Sequence, residues 1–251
     1  MTRMIDVLRH RLYWLKYGVP VFRSADLRAK KIKIAGKTIR LILPPEEEKA
    51  MDGEFRSIFY DDCYGLEKLN GNIKAVLDVG SNVGFFCLAA RSRFPAARIH
   101  SYEPNPQVQK YLLHNTSSLG IEVHPEAIGA CDGLVDMNTK RGSTLFAETV
   151  AADTGAIKRI AMATAIQRLG GSVDLLKLDC EGTEWELFQD TKVWARVGAL
   201  SMEYHLWANP KWNVPAMIQK LRDLGFRITY LNEAPELEWG ILHATKHPVK
   251  P

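Results

Sequence analysis

Two short stretches late in the chain, "LLKLDCEGTEWELF" and "SMEYHLW", gather side chains able to move a proton: Asp179 and Glu181 in the first, Glu203 and His205 in the second. Each stretch opens as a run of strand type, so each pair falls where a strand ends. Strand alternation places Glu203, His205 and Trp207 on one side if the second strand continues that far. Carboxylates gathered at one edge raise at least one of their pKa values, which suits general-base work. The same group could hold a divalent cation through carboxylates and a neutral imidazole, but no spacing demands a metal and none is expected. Plainer roles stay open: Glu181 as the cap of a helix opening at Thr183, and His205 as a satisfied wall residue.

A third stretch, "VLDVGSNVGFFCLAA", begins as an apolar run that carries Asp78 and continues as a glycine loop feeding an apolar helix. Gly80 and Gly84 bracket the turn, with Ser81 and Asn82 between them; glycine allows positive φ and close approach of backbone to a ligand. A helix starting near Gly84 points its amino end at the same spot. The dinucleotide fingerprint needs a middle glycine beside the pyrophosphate, and Asn82 stands there instead. Glu103 follows 23 residues after Gly80, at the end of "RIHSYE", where an acid can grip both hydroxyls of a ribose. Either acid alone could be a cap or a surface residue. Together they point to an adenosine held without a pyrophosphate, a description that S-adenosylmethionine fits.

These residues need a scaffold. Strand-like runs are expected at 75–79, 98–102, 121–125, 175–178, 199–203, 226–230 and 239–245, with helices over 84–93, 106–119, 184–190 and 214–224. Alternating strands and helices imply a parallel sheet covered on both faces. Only about eight residues join the last two strands, too few for a parallel crossover, so these two are expected to be antiparallel. The fold class is therefore α/β: a doubly wound, mostly parallel, seven-stranded Rossmann-like sheet with an antiparallel C-terminal strand. Residues 31–43, "KIKIAGKTIRLIL", read as a hairpin. The expected division is an N-terminal helix and hairpin extension over 1–70 and the sheet domain over 71–251. Between Gly129 and Ile160 the pattern is weak, and that stretch could carry a short hairpin and a mobile segment near a substrate.

At 251 residues, with 46% hydrophobic and 25% charged residues, the chain has the composition of a globular protein with a core of ordinary size. A net charge of +4 is too small and dispersed to argue for nucleic acid, and Lys30, Lys31 and Lys33 fit a solvated strand edge. Cys63, Cys87, Cys131 and Cys180 have no metal-type spacing and read as free thiols in a reducing, cytoplasmic compartment. Charges interrupt the apolar residues of "MTRMIDVLRHRLYWLKYG", which excludes a signal peptide or membrane span there. Its helical spacing suits docking on its own domain, with weak contact to an anionic membrane surface as the alternative.

"DVGSNVGFF", "YEPNP", "LLKLDCEGTEWELF" and "SMEYHLW", in that order, closely resemble the FkbM-like family of S-adenosylmethionine-dependent methyltransferases across about residues 74 to 245. The strongest element is "LKLDCEGTEWELF". The resemblance implies a class I methyltransferase sheet and O-methylation of a hydroxyl on a sugar or a secondary metabolite. By position, Asp78, Gly80, Asn82 and Gly84 match the loop at the cofactor's methionine side, and Glu103 matches the ribose acid with Asn105 just beyond. "EAIG" would wall the adenine through Ala127 and Ile128, while Asp179 and Glu181 match the signature acids. Among the groups gathered at the strand ends, His205 is the expected base, oriented by Glu203 or Glu181, with Asp179 placing the acceptor hydroxyl. Trp185, Trp207, Trp212 and Tyr204 could stack on a sugar, although core packing is the commoner fate of any one of them.

Two departures accompany the match. Ile166 in "ATAIQRL" stands where members commonly have an acid, and Gln167 or Thr164 would have to replace any capping role. Tyr64 is followed by Gly65 where an acid is usual, so the cofactor's amino group lacks an assigned partner. An NAD(P)-dependent oxidoreductase and an inactive cofactor-binding scaffold remain the alternatives.

Overall fold

The computed structural model describes residues 31–69, 72–139, 147–151, 155–234 and 238–246. The expected N-terminal helix lies outside these residues. No helix among the described residues is long and apolar enough to cross a membrane.

The main sheet has seven strands: β3 (Ala75–Val79), β4 (Arg98–Tyr102), β5 (Ile121–His124), β10 (Val173–Leu178), β11 (Val197–His205), β12 (Arg227–Ala234) and β13 (Trp239–Thr245). Their spatial order is β12-β13-β11-β10-β3-β4-β5. β11, β10, β3, β4 and β5 pair in parallel, whereas β13 is antiparallel to both β11 and β12. The short β12–β13 connection enforces that reversal. β3 lies inside the sheet, between β10 and β4, with all five residues buried, which is why it reads as an uninterrupted run rather than an alternation. Strand order reverses between β3 and β10, so the loops after these two strands face the crevice where ligands bind in open α/β sheets.

Two apolar clusters cover the two faces. On one, helix α1 (Glu48–Phe59) buries Met51, Phe55, Ile58 and Phe59, a single helical stripe. Phe55 stacks on Phe59 at 4.5 Å and meets Phe85 edge-on at 5.2 Å. Phe85 opens helix α2 (Phe85–Arg93), which follows the glycine loop. The hairpin of β1 (Lys31–Ile34) and β2 (Lys37–Arg40) adds Ile32, Ile34 and Ile39 to the same cluster, while Lys31 and Lys33 point to solvent. Helix α3 (Gln109–Thr116) joins this face. The other cluster is covered by α4 (Met162–Arg168), α5 (Glu184–Leu187), α6 (Thr191–Trp194) and α7 (Val214–Asp223). Helix α7 starts as its sequence dictates: Asn213 accepts a hydrogen bond from the Ala216 amide at 2.9 Å, and a proline occupies the first turn.

The weakly patterned stretch holds more order than a hairpin. β6 (Ala127–Gly129), β7 (Gly133–Thr139), β8 (Ala147–Ala151) and β9 (Ile157–Ala161) form a four-stranded sheet in the order β6-β9-β7-β8. The hairpin of β7 and β8 is there, but β9 also pairs with β6 in parallel and with β7 in antiparallel fashion. Only one residue of β9, Ile160, is fully buried, so the strand lacks the apolar run that marks the others.

Candidate active site

The turn after β3 is built on a close approach. Gly80 has φ 78°, and a Cβ there would lie 1.7 Å from the carbonyl oxygen of Asp179 at the end of β10. Only glycine lets the two strand ends meet this way. Lys177 secures the junction from inside. Its buried Nζ lies 3.5 Å from Asp78 and 3.3 Å from Asp179 and donates to the Gly80 carbonyl. Burial opposes that charge, but the carboxylates of Asp179, Asp78 and Glu54 outweigh it and hold the ammonium firmly protonated. Asp78 is fully enclosed beneath the loop, with Cys87 Sγ at 3.0 Å from one oxygen and the other without a hydrogen-bond partner. Ser81 is also buried and donates to the carbonyl of Asp78.

Glu103 clamps the loop from the next strand. One carboxylate oxygen accepts from the Asn82 amide at 2.7 Å and the other from the Asn105 amide at 2.8 Å. Burial, resisted by these two amide bonds, pushes Glu103 up to about 7. Asn82 Oδ1 and Asn105 Nδ2 are enclosed and without hydrogen-bond partners. A buried amide oxygen and a buried amide NH2 left open beside an acid are what a nucleoside would satisfy, so these residues fit an adenosyl cofactor. Ala127 and Ile128 are buried in β6, and the Ile128 side chain packs into the core cluster.

The proton-transfer candidates do converge. Asp179, Glu203 and His205 each offer an atom within 4.8 Å of the others. Glu181, at φ 51°, sits in left-handed backbone and puts its carboxylate 3.8 Å from His205 Nε2. It is not the helix cap: the residue at that position is Thr183, which makes no side-chain cap bond. β11 ends at His205, and Trp207 lies in the single turn that follows, its ring edge-on to His205 at 5.6 Å. Trp207 is 37% exposed. Trp185 and Tyr204 are instead buried, and Trp212 stacks on Trp185 at 4.9 Å, so packing claims these three.

His205 differs from the expected neutral base. It is buried, with Nδ1 3.3 Å from Glu184 and Nε2 3.6 Å from Glu203. Burial favours the neutral ring, but Glu184, Glu203 and Glu181 prevail and push its pKa up to about 11. The acids around His205 thus favour its imidazolium form, and its orienting partner is Glu184, a residue that reads as an ordinary helix-start acid in sequence. Burial pushes Glu181 up to about 8, opposed by the charge of His205 and helped by those of Asp179 and Glu203. Glu203 is raised too, by burial first and Asp179 second. The trio could also hold a divalent cation, provided Nε2 gives up its proton.

Other residues enter that sequence reasoning did not place. Tyr64 donates from its hydroxyl to Asp179 at 3.1 Å. Glu54 on α1 has an enclosed, unpartnered oxygen, and burial followed by Asp179 pushes it up to about 8. It supplies an acid ahead of β3, ten residues before Tyr64. Ile166 is buried core on α4, and neither Gln167 nor Thr164 caps that helix; Asp132 accepts from the Ala161 amide at its start, 2.7 Å away. A cavity of about 560 Å³ lined by Tyr64, Leu175, Leu200, Ser201 and His243 lies at mid-strand, and Tyr64 links it to Asp179 at the edge.

The methyltransferase FkbM domain matches residues 78–228, more than half of the chain, from Asp78 past His205. The chain belongs to the FkbM methyltransferase family. It is therefore an S-adenosylmethionine-dependent methyltransferase, and the oxidoreductase alternative falls away. Among its relatives, methyltransferase sdnD of Sordaria araneosa is 26% identical over 215 residues, 70% of this chain and 82% of that protein. The 31-O-demethyl-FK506 methyltransferase FkbM of Streptomyces tacrolimicus is 42% identical, over 55 residues that make up 21% of this chain and 20% of that one. Fibrillarin of Aeropyrum pernix, solved with S-adenosyl-L-methionine, shares the fold at TM-score 0.50 and 14% identity, covering 92% of this chain and 87% of that one.

Proposed function

We propose that this FkbM-family methyltransferase acts on the oxygen of an alcohol on a sugar, a glycan or a glycosylated metabolite. The observation that carries the reading is the convergence of Asp179, Glu203 and His205 within 4.8 Å at the ends of β10 and β11, beside the Gly80 loop. The printed name of the Streptomyces tacrolimicus relative, an O-demethyl-FK506 methyltransferase, supports oxygen as the acceptor atom. Trp207, exposed beside His205, offers an aromatic face of the kind that stacks on sugar rings.

The cofactor supplies an electrophilic methyl group on a sulfonium. Acidic side chains outnumber cationic ones at this edge, which would favour a positively charged cofactor over its neutral product. Glu103 would hold the ribose hydroxyls through its remaining lone pairs, and Asn105 and Asn82 would offer their open amide atoms to the nucleoside. Asp179 and Glu203 receive the acceptor hydroxyl. Glu203, raised above the ordinary carboxylate range and partly open, removes its proton as the new C–O bond forms. His205, as an imidazolium, fixes Glu203 and balances the charge.

The test is transfer to a panel of nucleotide sugars, glycans and glycosylated metabolites, read by mass spectrometry. A gain of one methyl on oxygen supports the reading; methylation on nitrogen or carbon alone contradicts it. Repeating the reaction after exhaustive chelation should leave turnover unchanged.

A further inference from the structure

A second group of ligand-type side chains lies outside the active edge. His100 on β4 is in register with Glu122 on β5, and His124 follows two residues later on the same strand. Residues two apart on a strand share a face, so the three side chains meet on one side of two adjacent parallel strands. Nε2 of His100 is 3.3 Å from one oxygen of Glu122, and Nε2 of His124 is 3.2 Å from the other. One atom from each residue lies within 4.8 Å of the other two.

We propose that His100, Glu122 and His124 form a binding site for a divalent transition ion of the zinc class. The ring centres of His100 and His124 are 5.2 Å apart. Two imidazoles on one tetrahedral ion, with bonds of roughly 2.0–2.1 Å, place their ring centres about 5 Å apart, so the rings already stand at the required separation. His124 Nε2 is enclosed and has no hydrogen-bond partner even with Glu122 so close. An ion between them would satisfy that nitrogen.

The surroundings suit an open site. The His100 and His124 side chains are 9% and 14% exposed, whereas Glu122 is 61% exposed, so the imidazoles come from within and water can complete the shell outside. His124 stacks on Tyr102 at 4.4 Å and 13°, which fixes its ring orientation. The guanidinium of Arg168, which bears on both histidines, is itself neutralised by Glu126. Two imidazoles and one carboxylate favour zinc, cobalt, nickel or copper over magnesium or calcium, which prefer all-oxygen shells. β5 is the sheet's edge strand, and β4 leads directly into Glu103. An ion here would tie the edge strand to the strand that carries the proposed ribose acid.

The experiment is titration of the metal-free full chain with cobalt(II), read by visible absorption, and with zinc, read by calorimetry and thermal melting. Intense bands of low-coordinate cobalt, one equivalent of zinc bound and a raised melting temperature are expected. Glu122→Ala, an exposed change, and His124→Asn should each weaken binding at least tenfold, while His205→Asn should not. No bound metal in the wild-type chain overturns the proposal. So does binding that survives in Glu122→Ala and His124→Asn but fails in His205→Asn, which would assign the ion to the active edge.

Discussion

Glu184 and His205 form the buried ion pair at the centre of the active edge, with Oε1 3.3 Å from Nδ1 and the carboxylate fully enclosed. The same oxygen accepts from the Cys180 amide at 3.0 Å, so one side chain sets both the turn after β10 and the charge state of the histidine. The imidazolium pKa is raised from 6.5 to about 11. Its contribution to stability is therefore complete below about pH 6.5 and is lost as pH rises toward 11. Glu184→Gln should lower stability by about 3 kcal/mol at neutral pH, the order expected when one partner of a buried pair is removed. Urea unfolding across pH should show the gap between wild type and variant narrowing as the solution becomes alkaline. A gap that widens would mean that the ring is neutral in the folded protein.

A charged His205 also shapes the rate profile. With a carboxylate as base, kcat at saturating cofactor should rise through an acid-side step above the ordinary glutamate value of 4.5, because Glu203 is raised, and that step should be lost in Glu203→Gln. Glu203→Gln should reduce kcat by roughly 100-fold or more with little change in cofactor affinity. A step near the ordinary histidine value of 6.5 that vanishes in His205→Asn would instead make the imidazole the base.

Glu103 serves two partners within the protein, and a ribose would be a third. Glu103→Ala removes charge-assisted bonds to the Asn82 and Asn105 amides, each of a kind that contributes about 1.5–3 kcal/mol. Calorimetry with S-adenosylhomocysteine should show affinity reduced by roughly 100-fold, with the far-ultraviolet circular dichroism unchanged.

Gly80 and Gly120 have similar positive φ, 78° and 63°, but opposite surroundings. A Cβ at Gly120 meets nothing within 4 Å, so Gly120→Ala should cost only the left-handed backbone term, about 1–2 kcal/mol. Gly80→Ala drives a carbon into the Asp179 carbonyl and should prevent folding or displace β10. Comparable melting temperatures for the two variants would contradict the close contact of strand ends.

The frame and most of the edge could be read from the residues because they obey local rules. Buried parallel strands are apolar runs, Asn213 and a following proline announce α7, and the short link between β12 and β13 dictates their direction. Three things could not be read that way. β9 has one fully buried residue, so no periodicity betrays the four-stranded sheet. The ion pair of Glu184 with His205 spans 21 positions and depends on how a four-residue helix turns back on β11. Lys177 looks like a strand lysine bound for solvent, yet three acids from separate segments surround it. Charge states follow from such long-range neighbours, and this is why sequence alone leads to a neutral imidazole at His205.

The most direct measurement is a crystal structure of the complete chain with S-adenosylhomocysteine. The account predicts ribose hydroxyls on Glu103, the thioether sulfur facing Asp179, Glu203 and His205, and the Asn105 amide group newly bonded. A nucleoside bound in the mid-strand cavity beside Tyr64 and His243, or one that leaves Glu103 on its two amides alone, would contradict it.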